Sequence, residues 1–244
     1  MTKNQLYKLH EDKEYLDYGK YLQTRTLFSA QKKFDQLCNE DELQFQIVHQ
    51  VEELWMKLMF YTLVDVIDRI ETKDTKKIMN LMNRVHKIQE LMIDQMELLH
   101  TMSPFDYQTI RLELGNGSGQ ESPGFHSLLA LAPKIYQSFK KHYLNNSEDN
   151  IHQIYAENYT HCDAYVISET LVDFDRLFHR FLFLHFELIE RTIGSQAKSL
   201  KGRSVEDLLK RITKRFFPRL WEIRSKMTDS WGGSYGEKRE SLHQ

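Results

Sequence analysis

Two long apolar stripes run from Leu43 to Leu99, separated by only seven polar residues, and few folds accommodate such a pattern. The first stripe is Leu43, Ile47, Val51, Leu54, Leu58, Val66 and Ile70, spaced by three, four or multiples of four. This spacing predicts a helix over 43–70, about 28 residues and roughly 40 Å long at the α-helical rise. The second stripe is Ile78, Leu81, Met82, Val85, Ile88, Met92, Met96 and Leu99. The break at Thr72–Thr75 is too short for anything but an antiparallel return. Four prolines and ten glycines in 244 residues also favour long helices over a turn-rich β fold. Neither helix can stand alone, so the expected fold is all-α: a single-domain bundle of long helices, with no linker that would split the chain.

The remaining segments fit that bundle. Residues 1–26 form a polar arm with interleaved Tyr7, Tyr15, Tyr18 and Tyr21, read either as docking on its own domain or a neighbouring subunit, or as a frayed terminus. Residues 27–38 are compatible with a short amphipathic helix, and Asn39 followed by Glu42 resembles a capping box. Ser103-Pro104 opens a short helix carrying Tyr107 and Arg111 on one face, ending at Leu114. The segment GNGSGQESPG (115–124) is the strongest loop signal. A helix over 125–143 is expected to bend or break at Pro133. Residues 151–160 are ambiguous. A long helix follows over 161–193 and ends at Gly194. The last helix, capped by Ser204 and running to Met227, is expected to kink at Pro218.

Several function classes are excluded. The formal charge of −2 gives no general attraction to nucleic acid. The ten Lys and Arg residues in 198–226 read as a solvated face or a subunit interface. No run approaches the ~18 apolar residues of a membrane span. Two distant cysteines and a polar N-terminus imply a reducing, cytoplasmic setting. There is no dinucleotide fingerprint, P-loop, HExxH or GxSxG. A di-iron bundle needs two Glu-x-x-His pairs, and the chain offers only Glu97–His100.

Three residues are candidates for chemistry. His49 shares a helical face with Phe45 inside the first stripe. His185 lies in the most aromatic stripe of the chain, with Phe174, Leu177, Phe178, Phe181, Leu182, Leu188 and Ile189. Each histidine reads either as a satisfied core residue or as a group facing a cavity, which for His185 includes an axial haem ligand. Arg111 is either a solvent-facing arginine or, with Tyr107 one turn earlier, a clamp for a substrate carboxylate.

HQVEELWMK at 49–57 resembles the HQ-x-x-ELW-x-K signature of the tryptophan 2,3-dioxygenases, haem enzymes that open the indole ring of L-tryptophan. DYGKYLQTRTLFSAQ (17–31), RVHKIQELMIDQMELLHTMSPFDYQTIR (84–111), the GSG of 117–119 with Ser122, and HFELIERTIG (185–194) resemble further family segments in the same order. The resemblance implies haem b held by His185 as proximal ligand. It implies His49 as the catalytic-site residue facing the substrate and bonding the indole N–H, Phe45 packing on the indole, and Tyr107 and Arg111 holding the carboxylate. Ser118 would lie near haem or substrate. Tyr18, Tyr21 and Leu22 would reach into a neighbouring subunit of a homotetramer with exchanged N-terminal arms. Residues 1–26 are then that arm, and 27–244 the haem-binding catalytic domain.

The implied reaction is dioxygenation of L-tryptophan by O₂ to N-formylkynurenine, with orientation supplying much of the catalysis. The chain departs from the family after the HFELIERTIG segment. SQAKSLKGRSVEDLL replaces a Gly/Thr-rich loop, leaving Ser199 where a threonine reads the substrate ammonium. Gln120 and Glu121 replace an aromatic–Gln pair, and Glu121 is the other candidate to read the amine. The alternatives are a divergent oxygenase of a substituted indole or another aromatic amino acid, inserting one oxygen atom; a haem-binding protein without turnover; and a helical structural protein.

Overall fold

The computed structural model describes residues 1–11, 16–115, 117–156, 161–195 and 212–230. Ten helices and no strand occur among these residues: α1 (Lys3–Glu11), α2 (Asp17–Leu22), α3 (Thr24–Phe28), α4 (Glu42–Glu71), α5 (Thr75–Leu99), α6 (Pro104–Glu113), α7 (Pro123–Tyr143), α8 (Asp149–Ala156), α9 (Asp163–Ile193) and α10 (Pro218–Ser230). The two stripes fold as α4 and α5. Their connection is tight: Lys73 takes φ 54°, and the Asp74 carboxylate caps α5 by accepting from Lys77 N–H at 3.1 Å. Helix α4 packs between α5 and α7, and α9 covers the other side of α5. One continuous core results, in which Val66, Ile70, Ile78, Met82, Phe139, Phe174 and Phe217 are all buried. Helix α7 runs unbroken through Pro133. The carbonyl that loses its helical partner there belongs to Leu129, which is exposed, so water can replace the bond.

Two expected helices are corrected. The segment 27–38 is not a helix: α3 stops at Phe28, and residues 29–41 run as turns. Side chains of α4 capture the backbone that a helix would have used. Gln46 Oε1 accepts from Lys32 N–H at 3.0 Å, Gln50 Nε2 donates to Ala30 C=O at 3.1 Å, and Glu42 Oε2 accepts from Cys38 N–H at 2.7 Å. Asn39 Oδ1 does accept from Glu42 N–H at 3.1 Å, so half of the expected capping box forms. The second correction concerns Pro218, which begins α10 rather than kinking a longer helix. The fully buried Asp175 carboxylate on α9 accepts from Phe216 N–H (2.7 Å), Phe217 N–H (3.0 Å) and Trp221 Nε1–H (3.1 Å). This diverts the backbone before Pro218 away from a helical ladder. Ser204 lies outside the described residues.

The N-terminal arm is divided in its contacts. Tyr7 stacks on Phe34 of the same chain at 5.1 Å, and Lys3 pairs with Glu40 at 3.6 Å. Tyr18 and Tyr21 on α2 are 76% and 88% exposed, so they bury little against the described residues of this chain.

Candidate active site

The N-terminal half of α4 and the C-terminal half of α9 bring His49 and His185 together. Their ring centroids are 6.4 Å apart, with planes at 78°. Each histidine follows an aromatic residue one turn earlier: Phe45 lies 4.1 Å from His49, and Phe181 lies 6.2 Å from His185, ring to ring. His49 Nδ1 sits 2.7 Å from the Phe45 carbonyl oxygen. A carbonyl only accepts, so Nδ1 carries the proton and Nε2 presents its lone pair. Burial lowers the His49 pKa, against a smaller opposing pull from the Phe45 carbonyl and from Glu53. Burial also lowers His185, to about 4, with His49 adding to the effect. Both imidazoles are therefore neutral near pH 7, and His185 has no hydrogen bond to either ring nitrogen among the described residues.

Helix α6 closes this mouth because it is tied to both long helices. Asp41, at the start of α4, accepts from Ser103 N–H at 3.0 Å; Asn39 Nδ2 donates to Asp106 C=O at 2.9 Å; Gln108 Nε2 reaches Thr192 C=O on α9 at 3.4 Å. Lys32 adds a clamp, with Nζ 2.6 Å from Glu42 and 3.0 Å from Glu113. Ser103 caps α6 through Asp106 N–H at 3.3 Å, as its Ser-Pro start requires. Tyr107 is thereby placed 6.2 Å from Phe45, ring to ring. Burial raises the Tyr107 pKa, and the charge of Arg111, one turn later on the same helix, opposes that rise.

The glycine-rich loop reaches the site through α7. Gly124 N–H donates to Glu53 Oε2 at 3.0 Å, and Ser122 caps α7 through Phe125 N–H at 3.0 Å. A Cβ on Gly124 would stand 2.7 Å from Met56 Cβ, so only glycine lets α7 lie this close to α4. The preceding turn, Gly119–Glu121, then falls beside His185, where a Cβ on Gly119 would lie 3.5 Å from Cε1 and 3.9 Å from Nε2.

Most of the residues singled out from sequence thus converge: Phe45, His49, Tyr107 and His185, with Arg111 one turn after Tyr107 and the Ser118–Gly119 backbone beside His185. Ser118 itself accepts from Glu121 N–H at 2.9 Å through its carbonyl, and Glu121 is exposed at the end of that turn. Tyr18, Tyr21 and Leu22 lie exposed on α2. Ser199 lies outside the described residues. Sequence reasoning missed Glu53 and Gly124, whose pairing sets the loop. It also missed a cavity of about 720 Å³ between residues 27–30, α4 and the start of α7, on which His49, Met56 and Phe60 open. No group of three His, Cys, Asp or Glu side chains forms a protein-only metal site among the described residues.

The bundle thus gathers two neutral imidazoles, flanking aromatic rings and a buried phenol in one neighbourhood, an arrangement an enzyme with an internal site can use. Residues 4–153 match the family model described as tryptophan 2,3-dioxygenase. The chain is 29% identical to the tryptophan 2,3-dioxygenase of Myxococcus xanthus (strain DK1622), over 86% of this chain and 89% of the relative. It is 28% identical to that of Bacillus cereus (strain ATCC 10987 / NRS 248), over 90% and 96%, and 26% identical to that of Geobacillus thermodenitrificans, over 90% and 95%. The chain belongs to the tryptophan 2,3-dioxygenase family, whose members are haem-dependent dioxygenases.

The residues present fit a haem. His185 offers a neutral imidazole whose nitrogens have no partner among the described residues. Phe181 and Leu182 precede it by one turn, and Gly119 presents no side chain to its Cε1–Nε2 edge. An available imidazole in an apolar, aromatic wall is the donor environment of an axial haem ligand.

Proposed function

We propose that the chain is a haem-dependent oxygenase that cleaves the indole C2–C3 bond of L-tryptophan with O₂ to give N-formylkynurenine. The observation that carries this reading is the fixed tautomer of His49, facing His185 across one aromatic mouth. His185 would hold haem b, which when bound supplies the binding and activation of O₂. The chain's own residues do the rest. With Nδ1–H committed to the Phe45 carbonyl, His49 Nε2 can only accept, which suits an indole N–H donor and gives the ring a single orientation. Phe45 lies beside that acceptor and offers a face for the indole. Arg111 and Tyr107 take the carboxylate, the guanidinium through paired N–H donors and the phenol through its O–H. Tyr107 is held as the neutral phenol because burial raises its pKa. Both atoms of O₂ end in the product, so the balance needs no external reductant. His49 positions and does not abstract a proton, since the indole N–H is retained as the formamide N–H of the product.

The exposure of Tyr18 and Tyr21 supports a homotetramer in which residues 1–26 of one subunit cover the site of another. Among the described residues no helix is long and apolar enough to cross a membrane.

A second reading is favoured by the chain's departures at Gln120, Glu121 and Ser199, the positions that would read the substrate amine. In that reading a substituted indole or another aromatic amino acid is the substrate, one oxygen atom is inserted, and the other leaves as water with two electrons and two protons from an external reductant. Reconstituted protein given L-tryptophan and ¹⁸O₂ separates the two. A product carrying both labelled atoms supports the first, one labelled atom on another substrate supports the second, and haem binding with no product from any aromatic amino acid defeats both.

A further inference from the structure

The separation of the two histidines supports one more step, which rests on the haem reading above. Two imidazoles on opposite faces of one metal ion, each with a metal–nitrogen bond of about 2.0 Å, place their centroids about 6 Å apart. His49 and His185 stand at 6.4 Å. A diatomic ligand and an indole between His49 and the iron would need a further contact layer of about 3.5–4 Å at van der Waals distances. The observed spacing therefore suits an iron shared by both rings and not one with a filled substrate side. The chemistry agrees with the spacing. His49 donates Nδ1–H to the Phe45 carbonyl at 2.7 Å, an arrangement that leaves Nε2 as the donor atom and strengthens its basicity. Its near-perpendicular orientation to His185 (78°) is no obstacle, because rotation about the metal–nitrogen axis is unconstrained by the bond.

We propose that in the haem-loaded, substrate-free protein His49 is the sixth ligand of the iron, opposite His185, and that it must leave before O₂ or the amino acid can enter. The step is a ligand exchange: one iron–nitrogen bond breaks, no electron is transferred, and the freed Nε2 becomes the acceptor for the substrate. Such an arrangement keeps O₂ from the iron until the site opens. The absorption and electron paramagnetic resonance spectra of the ferric, substrate-free holoprotein test it. Wild type is expected to be low-spin, and His49→Ala high-spin with equal haem content and unchanged far-ultraviolet circular dichroism. His49→Gln serves if the alanine variant does not fold. With the ferrous wild type, the observed CO-binding rate is expected to level off with CO concentration, at the rate of His49 departure. In the variant it is expected to rise linearly. A high-spin wild type, a low-spin signal that survives His49 replacement, or linear CO kinetics in wild type overturns this inference and leaves the haem reading intact. A protein that binds no haem at all overturns both.

Discussion

Glu52 lies three residues after His49 but is buried in the core, and that burial is costly near neutral pH. It is 5% exposed, its Oε1 has no hydrogen-bond partner, and burial raises its pKa from 4.5 to about 7, with the charge of Glu53 adding to the rise. Gln95 opposes the rise by more than Glu53 adds, although its buried Nε2 completes no hydrogen bond of good geometry. The sign follows from the direction. An acid whose folded pKa is raised binds its proton more tightly when folded, so no stability is lost below pH 4.5. The loss grows between pH 4.5 and 7 and is complete above 7. At 1.36 kcal/mol per pKa unit, the full loss is about 3 kcal/mol, and at pH 5 it is only about 1 kcal/mol. Glu52→Gln removes the titration while keeping the shape. It should therefore stabilise the apoprotein by about 3 kcal/mol at pH 8.5 and by no more than about 1 kcal/mol at pH 5. In a domain of this size that corresponds to a rise in Tm of roughly 6–12 °C at the higher pH. Urea and thermal unfolding followed by circular dichroism at both pH values measure the difference. An equal effect at the two pH values, or a variant less stable than wild type at pH 8.5, would refute the reasoning.

Three further outcomes are expected. Gly124→Ala forces its Cβ to 2.7 Å from Met56 Cβ and 2.8 Å from Glu53 Oε2, so it should destabilise by about 1–3 kcal/mol and lower haem loading, read by denaturation and by haem content. Asp175→Ala strands the N–H groups of Phe216, Phe217 and Trp221 in the core, and should cost about 3 kcal/mol or more in unfolding free energy; Asp175→Asn, which keeps an acceptor oxygen, should cost less. Arg111→Ala should weaken substrate binding by about 100-fold or more, appearing in KM before kcat in steady-state assays, because a substrate carboxylate is left unpaired. An unchanged KM would remove Arg111 from the substrate-binding role.

How much of this was legible in the sequence depended on whether the cause was local. Helices α4, α5 and α9 were readable because burial imposes a period of 3.6 on neighbouring residues, and Ile78, Met82, Val85 and Met92 carry that period openly. Helix α6 was readable because Ser103 and Pro104 are themselves the cap. The failures at 27–38 and at Pro218 share another cause. In both, polar side chains of another helix take backbone groups that local propensity assigns to a helix: Gln46, Gln50 and Glu42 of the helix that follows in the first case, Asp175 on the preceding long helix in the second. No periodicity announces such captures, because one buried acceptor is enough to redirect a segment.

The site divides along the same line. His49 and His185 each stand on a readable stripe, but their facing across 6.4 Å depends on the packing order of α4, α5 and α9. That order is a property of the whole bundle and is written in neither stripe. Glu53 and Gly124 show how the remainder is set. A single carboxylate–amide bond of 3.0 Å, available only because Gly124 lacks a Cβ, fixes the start of α7 and so carries the turn at Gly119 to His185. The two residues are 71 positions apart, and each alone has an ordinary explanation, an exposed-face acid and a loop glycine. Only together do they determine how much room lies in front of the candidate iron ligand. Substitution at Gly124 should therefore disturb haem affinity without touching a residue that meets haem.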